Sequence, residues 1–486
     1  MSAIGDGMRL SELLQGWVET APELRVRDLC LDSRQCQAGS LFIARSGSRE
    51  HGWSHVDDAL ARGAVAVLHD GDAEVPEALP VPAVELEDLN DRLPELAARF
   101  WGCPNDMDLI AVTGTNGKTS VAWLLAQALN GMMMGTLGLG RPGEQVAGTL
   151  TTPDVLSVYR GLAEARAAGT ATVVLEASSH ALAQHRLAGL RFASVIFTGL
   201  GHDHLDYHHD LTRYFEAKAR LFTDFQIERC IINFDDEHGR ELAARVAGRA
   251  SVLGFSLKDA PTAAARVEAL ALNLSGTQAR LRRPSDTIEL NSRLIGRTNL
   301  NNLAIVALEL AARGVEGHDI ASRVAALEPV PGRLQTVCDA RGLCAVIDYA
   351  HTPDAIERLL ISLRELGPDR LICVFGCGGD RDASKRPLMG RVAEALADRA
   401  ILTDDNPRSE DGTAIIRAIQ SGMRHPERSR VIRDRAAAIR TALAEARPGD
   451  LVVVAGKGHE REQWIGEQCL PHSDEAVIRD ALEVAA

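Results

Sequence analysis

The stretch AVTGTNGKTS, Ala111–Ser120, limits the possible folds of this chain more than any other. It follows the apolar run Leu109–Thr113 and leads into the apolar run Val121–Leu129, so it reads as strand, glycine loop and helix. That context suits a phosphate cradle, in which backbone N–H groups and a helix N-terminus face the anion. Gly114, Thr115, Asn116, Gly117, Lys118, Thr119 and Ser120 form the expected nucleotide phosphate loop. Lys118 supplies a point charge to the outer phosphates, and the Thr119 hydroxyl is placed to reach Mg²⁺. An unliganded glycine turn would leave the burial of that lysine unexplained. Val112 stands where the common spacing of such loops has glycine, so the loop is a variant.

Apolar runs recur at Ala64–Leu68, Thr172–Glu176, Ser194–Thr198, Cys230–Asn233, Ala345–Tyr349, Leu371–Phe375, Ala400–Asp404 and Leu451–Gly456, with Ala/Leu-rich helical stretches between them. This rhythm predicts an α/β chain with parallel sheets. Aromatic residues make up only 4% of the chain, which argues against an aromatic-rich β-sandwich. At 486 residues the chain exceeds one ordinary core, so two or three domains are the starting expectation. Breaks near Gly102–Asn105 and at Leu327–Arg333 give three: a small α/β module over 1–104, a central P-loop-type parallel-sheet domain over 105–330 and a Rossmann-like domain over 331–486. The segment Leu327–Arg333 carries two prolines and a glycine and serves as the second linker. The last four strands each end in a loop rich in Gly, Asp, Asn or His, and those loops are expected to line one crevice.

A formal charge of −14 argues against general nucleic-acid or anionic-membrane binding. Nine cysteines without a paired C-x-x-C spacing fit reduced thiols better than a disulfide framework. No stretch has the apolar length of a membrane span, so a soluble cytoplasmic protein without membrane insertion is expected. Glu176 closes one apolar strand, and His204 lies in HDHLDYHH after the next, which makes both candidate metal ligands near the phosphates.

Beyond the phosphate loop, the chain carries TTPD (151–154), EASSHAL (176–182), DHLDYH (203–208), YFEAKARLF (214–222), TNLNN (298–302), PGR (331–333), DYAHTPDA (348–355), GCGGDRDASKRPLM (376–389), DNPR (405–408) and GKGHE (456–460). In this order the motifs resemble the Mur ligases, ATP-dependent amide-forming enzymes of peptidoglycan precursor synthesis and cell wall biogenesis. Val112 fits that family's variant loop. The resemblance implies transfer of phosphate from ATP to the D-glutamate γ-carboxylate of UDP-N-acetylmuramoyl-L-Ala-D-Glu, then attack by the amine of meso-diaminopimelate.

It also implies site residues. Lys118, Glu176, His204, Lys218 and Arg333 are the expected catalytic set. Thr119, Glu176, His204 and Lys218 would hold Mg²⁺, Lys218 as a carbamate formed with CO₂; on sequence alone Lys218 reads as an ordinary surface lysine of a helix. Asn299 and Asn302 would lie near the adenine, although capping of a helix start is an alternative for both. Asp348 would meet the ribose. Leu31, Ser33, Ser48, Arg49 and Glu50 would hold the uridine end of the UDP-linked substrate, and Thr151, Thr152, Ser178, Gln184 and Arg186 the remainder. The loop Ser48–Gly52 matches the family loosely, and Ala181 stands where glycine is usual.

For the acceptor, the resemblance implies Arg381, Asp405, Asn406, Pro407, Arg408, Gly456 and Glu460. Arg408 offers a planar fork to the far carboxylate of diaminopimelate, a group that lysine lacks. Glu460 would accept from the far ammonium. An L-lysine-adding ligase, folylpolyglutamate synthetase and a catalytically inactive nucleotide-binding protein are the alternatives. The N-terminal module and DNPR disfavour the second, and the intact Lys118, Glu176, His204 and Lys218 disfavour the third. A dinucleotide oxidoreductase, suggested by GCGGD, fails on glycine spacing. A monomer is expected.

Overall fold

A computed structural model describes residues 7–484 apart from 48, 49, 73, 74, 76–78, 147, 149 and 202. Two compact units divide the chain, 1–255 and 256–486.

The first unit contains a parallel sheet of β1 (Asp28–Cys30), β2 (Ser40–Ala44), β3 (Ala64–His69) and β4 (Ala83–Glu85), paired in chain order. Alternation along β2 sends Leu41 and Ile43 into one core and Phe42 and Ala44 into another, as a strand covered on both faces requires. Helix α1 (Leu89–Trp101) buries Leu89, Leu93, Leu96, Ala97 and Phe100 on one stripe. These residues share a core with Leu109, Ala111, Val173 and Leu175 of the strands that follow.

Those strands belong to a larger sheet built from β5 (Asp108–Thr113), α2 (Lys118–Ala128), β6 (Met132–Gly135), β7 (Gly138–Gly140), α3 (Val155–Ala167), β8 (Thr172–Glu176), β9 (Arg191–Phe197), α4 (Leu211–Thr223), β10 (Gln226–Asn233) and β11 (Ser251–Ser256). Their spatial order is β11-β10-β9-β5-β8-β6-β7, parallel throughout except β6 with β7. β5 is therefore central. Glu176 pairs in register with Val112, and Phe197 with Thr113, so three carboxyl ends meet around the glycine loop.

The second unit begins with the antiparallel strands β12 (Ala265–Asn273), β13 (Gly276–Arg282) and β14 (Thr287–Ser292), packed by α5 (Gly296–Ala312) and α6 (Gly317–Ala325). The alternation then resumes with β15 (Gln335–Cys338), β16 (Cys344–Asp348), α7 (Pro353–Arg364), β17 (Leu371–Phe375), α8 (Lys385–Leu396), β18 (Arg399–Leu402), α9 (Gly412–Gln420), β19 (Arg430–Val431), α10 (Arg435–Glu445), β20 (Leu451–Ala455), the ribbon β21 (Glu462–Ile465) and β22 (Gln468–Pro471), and α11 (Asp474–Val484). The sheet order is β15-β16-β20-β17-β18-β19, with only β15 antiparallel. Cys373 and Phe375 face one core, Ile372 and Val374 the other. The α/β class and the strand positions agree with expectation.

The expectation of reduced thiols fails for two cysteines. Cys338 and Cys344 are joined by a disulfide, with Cα atoms 4.2 Å apart. They are register partners across the β15–β16 hairpin, a proximity that their spacing alone did not signal. Among the described residues no helix is long and apolar enough to cross a membrane.

Candidate functional site

In the first unit the glycine loop is held from several sides. Gly114 has φ +142°, and a Cβ there would lie 2.0 Å from Thr198 Oγ1, so only glycine fits. Thr115 N donates to Gly199 O at 2.9 Å, and Gly201 N donates to Thr115 Oγ1 at 2.8 Å. Thr198 Oγ1 donates to the Asn116 carbonyl at 2.5 Å. Gly117, also at positive φ, precedes α2, whose first turn carries Lys118, Thr119 and Ser120.

Lys118 Nζ donates to Gly114 O at 2.9 Å and to Thr115 O at 3.0 Å. Lys218 Nζ reaches the same Gly114 carbonyl at 2.8 Å, from α4. Lys218 is 1% exposed, so the surface-lysine reading of it is wrong: α4 turns this face into the protein, beside the Tyr214 ring at 4.3 Å. Burial, reinforced by the Lys118 charge, pushes the Lys218 amine well below the usual lysine range despite Asp203.

Glu176 is fully buried at the end of β8. Thr119 Oγ1 donates to its Oε2 at 2.9 Å, Thr136 N to its Oε1 at 2.8 Å and Thr136 Oγ1 to its Oε2 at 3.2 Å. Thr119 and Glu176 thus offer adjacent hard oxygen donors, the chemistry Mg²⁺ requires. His204 is exposed at φ +52°, its ring 4.8 Å from His180 and 6.2 Å from Tyr214. Tyr214 therefore lies against both His204 and Lys218. Among the described residues no three His, Cys, Asp or Glu side chains form a metal-holding group.

The residues expected to hold the dipeptide end converge on the same strand end. Thr152 Oγ1 donates to Glu176 O at 2.6 Å and lies 3.2 Å from Ser178 Oγ. Thr151 Oγ1 lies 3.3 Å from Thr136 Oγ1. Arg186 donates to Thr152 O at 2.7 Å and to Gln184 Oε1 at 2.6 Å. Of the expected uridine contacts, Ser33 is buried in a short turn after β1, Leu31 packs on the core, and Glu50 is exposed with Oε1 3.1 Å from His55 Nε2. Ser48 and Arg49 lie outside the described residues.

In the second unit β16, β20, β17 and β18 are spatial neighbours, so DYAHTPDA, GKGHE, GCGGD and DNPR open at one edge, as expected. Arg333 lies 4.5 Å over the Tyr349 ring, and its Nε is buried without a hydrogen-bond partner. Asp348 accepts from Leu334 N and Ala350 N, both at 2.9 Å; burial raises its carboxyl, which Arg333 opposes. Asn299, in the first turn of α5, donates to the carbonyl of Ile295 just before the helix at 3.0 Å, and Asn302 donates to Asn299 Oδ1 at 3.2 Å. A capping residue accepts from backbone N–H, so the capping alternative does not hold.

Arg408 has φ +52° and is pinned by the ribbon: its N donates to Trp464 O at 3.0 Å, and its O accepts from Gly466 N at 2.8 Å. Its guanidinium donates to Gly379 O at 2.7 Å. Asn406 Nδ2 donates to Glu460 Oε2 at 2.9 Å. Pro407 O accepts from Glu410 N at 3.1 Å, and Arg381 is exposed. A Cβ on Gly456, φ +114°, would come within 2.5 Å of Asp405 Oδ2. Sequence reasoning passed over Thr136, Tyr214, Tyr349 and Lys457, although the last three sit inside motifs already noted; Thr136 carries no motif signal.

Residues 25–101, 112–310 and 332–458 match families described as "Mur ligase family, catalytic domain", "Mur ligase middle domain" and "Mur ligase, glutamate ligase domain". The chain is 44% identical to the UDP-N-acetylmuramoyl-L-alanyl-D-glutamate–2,6-diaminopimelate ligase of Alkalilimnicola ehrlichii, over 98% of this chain and 99% of that protein. It is 42% identical to the ligase of the same name from Xanthomonas campestris pv. campestris, over 98% and 97%. A solved structure of a ligase of that name aligns with a TM-score of 0.70 at 32% identity, covering 99% of each chain.

Proposed function

The chain belongs to the Mur ligase family, and from that membership we infer that it is an ATP-dependent ligase joining meso-2,6-diaminopimelate to the D-glutamate γ-carboxylate of UDP-N-acetylmuramoyl-L-Ala-D-Glu, in peptidoglycan precursor synthesis. One geometric observation supports the reaction class: Lys118 and Lys218 converge on the Gly114 carbonyl, beside the Thr119–Glu176 pair. Two amines and two oxygen donors around a phosphate loop suit the transfer of a phosphoryl group to a carboxylate.

A carboxylate resists attack because oxide is a poor leaving group. Transfer of the terminal phosphoryl of ATP to the γ-carboxylate oxygen releases ADP and gives an acyl phosphate. The free amine of diaminopimelate attacks its carbonyl, and the tetrahedral adduct expels phosphate as the amide forms. Lys118 holds the phosphates during transfer, and the family resemblance assigns phosphate neutralisation to Arg333 as well, whose buried Nε has no hydrogen-bond partner among the described residues. Thr119 and Glu176 would hold Mg²⁺, and His204 with carbamylated Lys218 a second ion; bound there, the metal supplies charge neutralisation at the phosphoryl oxygens. A neutral Lys218 amine is the form that adds CO₂, and its burial favours that form. Thr151, Thr152, Ser178, Gln184 and Arg186 hold the peptide end of the UDP-linked substrate. The residues Asp405–Arg408, with Arg381, Gly456 and Glu460, hold the acceptor. The division into domains at 104 and 330, a cytoplasmic location and a monomeric state complete the proposal.

The test is phosphate release from ATP in the presence of the UDP-linked dipeptide, with meso-diaminopimelate compared against L-lysine. Release with diaminopimelate and little with lysine is expected. Equal release, or release with lysine alone, removes the acceptor assignment.

A further inference from the structure

We propose that Lys457 is a positioning residue for the acceptor pocket, orienting Asn406 and Glu460 from beneath. The proposal rests on the assignment of that pocket to the incoming amino acid. Lys457 follows β20, and its side chain is 0% exposed. A lysine this deep carries a desolvation penalty, which tight bonding must offset. Its Nζ donates to Glu460 Oε2 at 2.6 Å and to Asn406 Oδ1 at 2.9 Å.

Asn406 Nδ2 donates to the same Glu460 oxygen, which closes a triangle of three side chains. Trp464 N donates to Asn406 Oδ1 at 3.0 Å, from the ribbon that also pins Arg408. Asn406 can take only one orientation here, because flipping its amide would set an NH₂ against the Lys457 ammonium and the Trp464 N–H. The triangle occupies Oε2 of Glu460. The Glu460 side chain is 33% exposed, and its other carboxylate oxygen is left to a ligand ammonium. Lys457 touches no reacting atom in this arrangement. It acts through the two residues whose polar ends meet the acceptor.

The test uses K457M, K457R, N406A and the double variant K457M/N406A in the full-length enzyme. Steady-state KM is measured for meso-diaminopimelate, ATP and the UDP-linked dipeptide, with the thermal midpoint of each protein. K457M is expected to raise the acceptor KM about tenfold or more while the other two KM values stay within about twofold. N406A should add less in the K457M background than in the wild type, since the orientation is already lost. K457R, which keeps the charge, should restore part of the acceptor affinity. If K457M does not fold, K457Q should show the same split in KM. An unchanged acceptor KM, a parallel rise in all three KM values, or full additivity with N406A overturns the role of Lys457 alone. A wild-type enzyme that releases no phosphate with diaminopimelate overturns the pocket assignment, and this inference with it.

Discussion

At the scale of single residues, Lys218 is the position where burial decides chemistry. Its amine is enclosed, faces the Lys118 charge, and is held below the ordinary lysine range. Lys218→Ala should lower kcat at least about 100-fold while leaving the thermal midpoint near that of the wild type, because a positioned charge-stabilising group is lost. Native mass spectrometry should show one added CO₂ on the wild type and none on the variant; a wild type without that mass under bicarbonate would remove the carbamate from the proposal. Arg408 makes a separate prediction. Among the described residues its guanidinium donates one hydrogen bond, to the Gly379 carbonyl, which leaves its other N–H groups for a carboxylate ligand. Arg408→Ala should raise the diaminopimelate KM about tenfold or more and leave the ATP KM nearly unchanged. Unaltered acceptor kinetics would detach Arg408 from the pocket. The two residues differ in legibility. DNPR lies after a strand with a clear pattern, whereas a lysine in a helical stretch reads as solvated until tertiary packing shows which face is inside.

At the scale of elements, the sheet edge proposed for the acceptor is braced by a charge pair with no exposed side-chain surface. Arg435 begins α10, Asp474 begins α11, and their side chains bond at 2.8 and 2.7 Å, with Arg435 also donating to Ala455 O at the end of β20. Burial alone would raise the Asp474 carboxyl, but the Arg435 charge and hydrogen bonds, together with His472, hold it below the usual carboxylate range. Asp474→Asn leaves the guanidinium buried without its counter-charge and should cost about 3–5 kcal/mol in urea unfolding at neutral pH. A depressed carboxyl is protonated more readily in the unfolded chain. Its stabilisation is therefore complete above the ordinary carboxylate pKa of about 4 and is lost as pH falls through the lower folded value. The gap between wild type and variant should narrow steadily below about pH 4. A gap that is constant with pH would show that the pair is not the cause. Strands such as Leu371–Phe375 and Thr172–Glu176 were legible because continuous apolar runs mark a parallel sheet covered on both faces. The Arg435–Asp474 pair was not, since 39 residues separate its members and neither carries a local signal.

At the scale of the whole molecule, composition and rhythm identified an α/β chain with several cores. They could not say which cores merge, because that depends on contacts between segments far apart in sequence. Leu96 and Phe100 of α1 share a core with Leu109 and Val173, so the small N-terminal sheet and the phosphate-loop sheet are packed in one compact unit, 1–255. Residues 256–486 form the other unit, and the edge proposed for the acceptor is built from strands of that unit. A ligand stabilises the unit that holds its site, by about 2.7 kcal/mol at a hundredfold excess over Kd. Calorimetry should therefore resolve two transitions. The UDP-linked dipeptide should raise the midpoint of one and meso-diaminopimelate that of the other, while Arg408→Ala abolishes only the second shift. A single transition with equal calorimetric and van't Hoff enthalpies, displaced alike by both ligands, would mean that the units melt as one cooperative body and that ligand-specific stability cannot be divided between them.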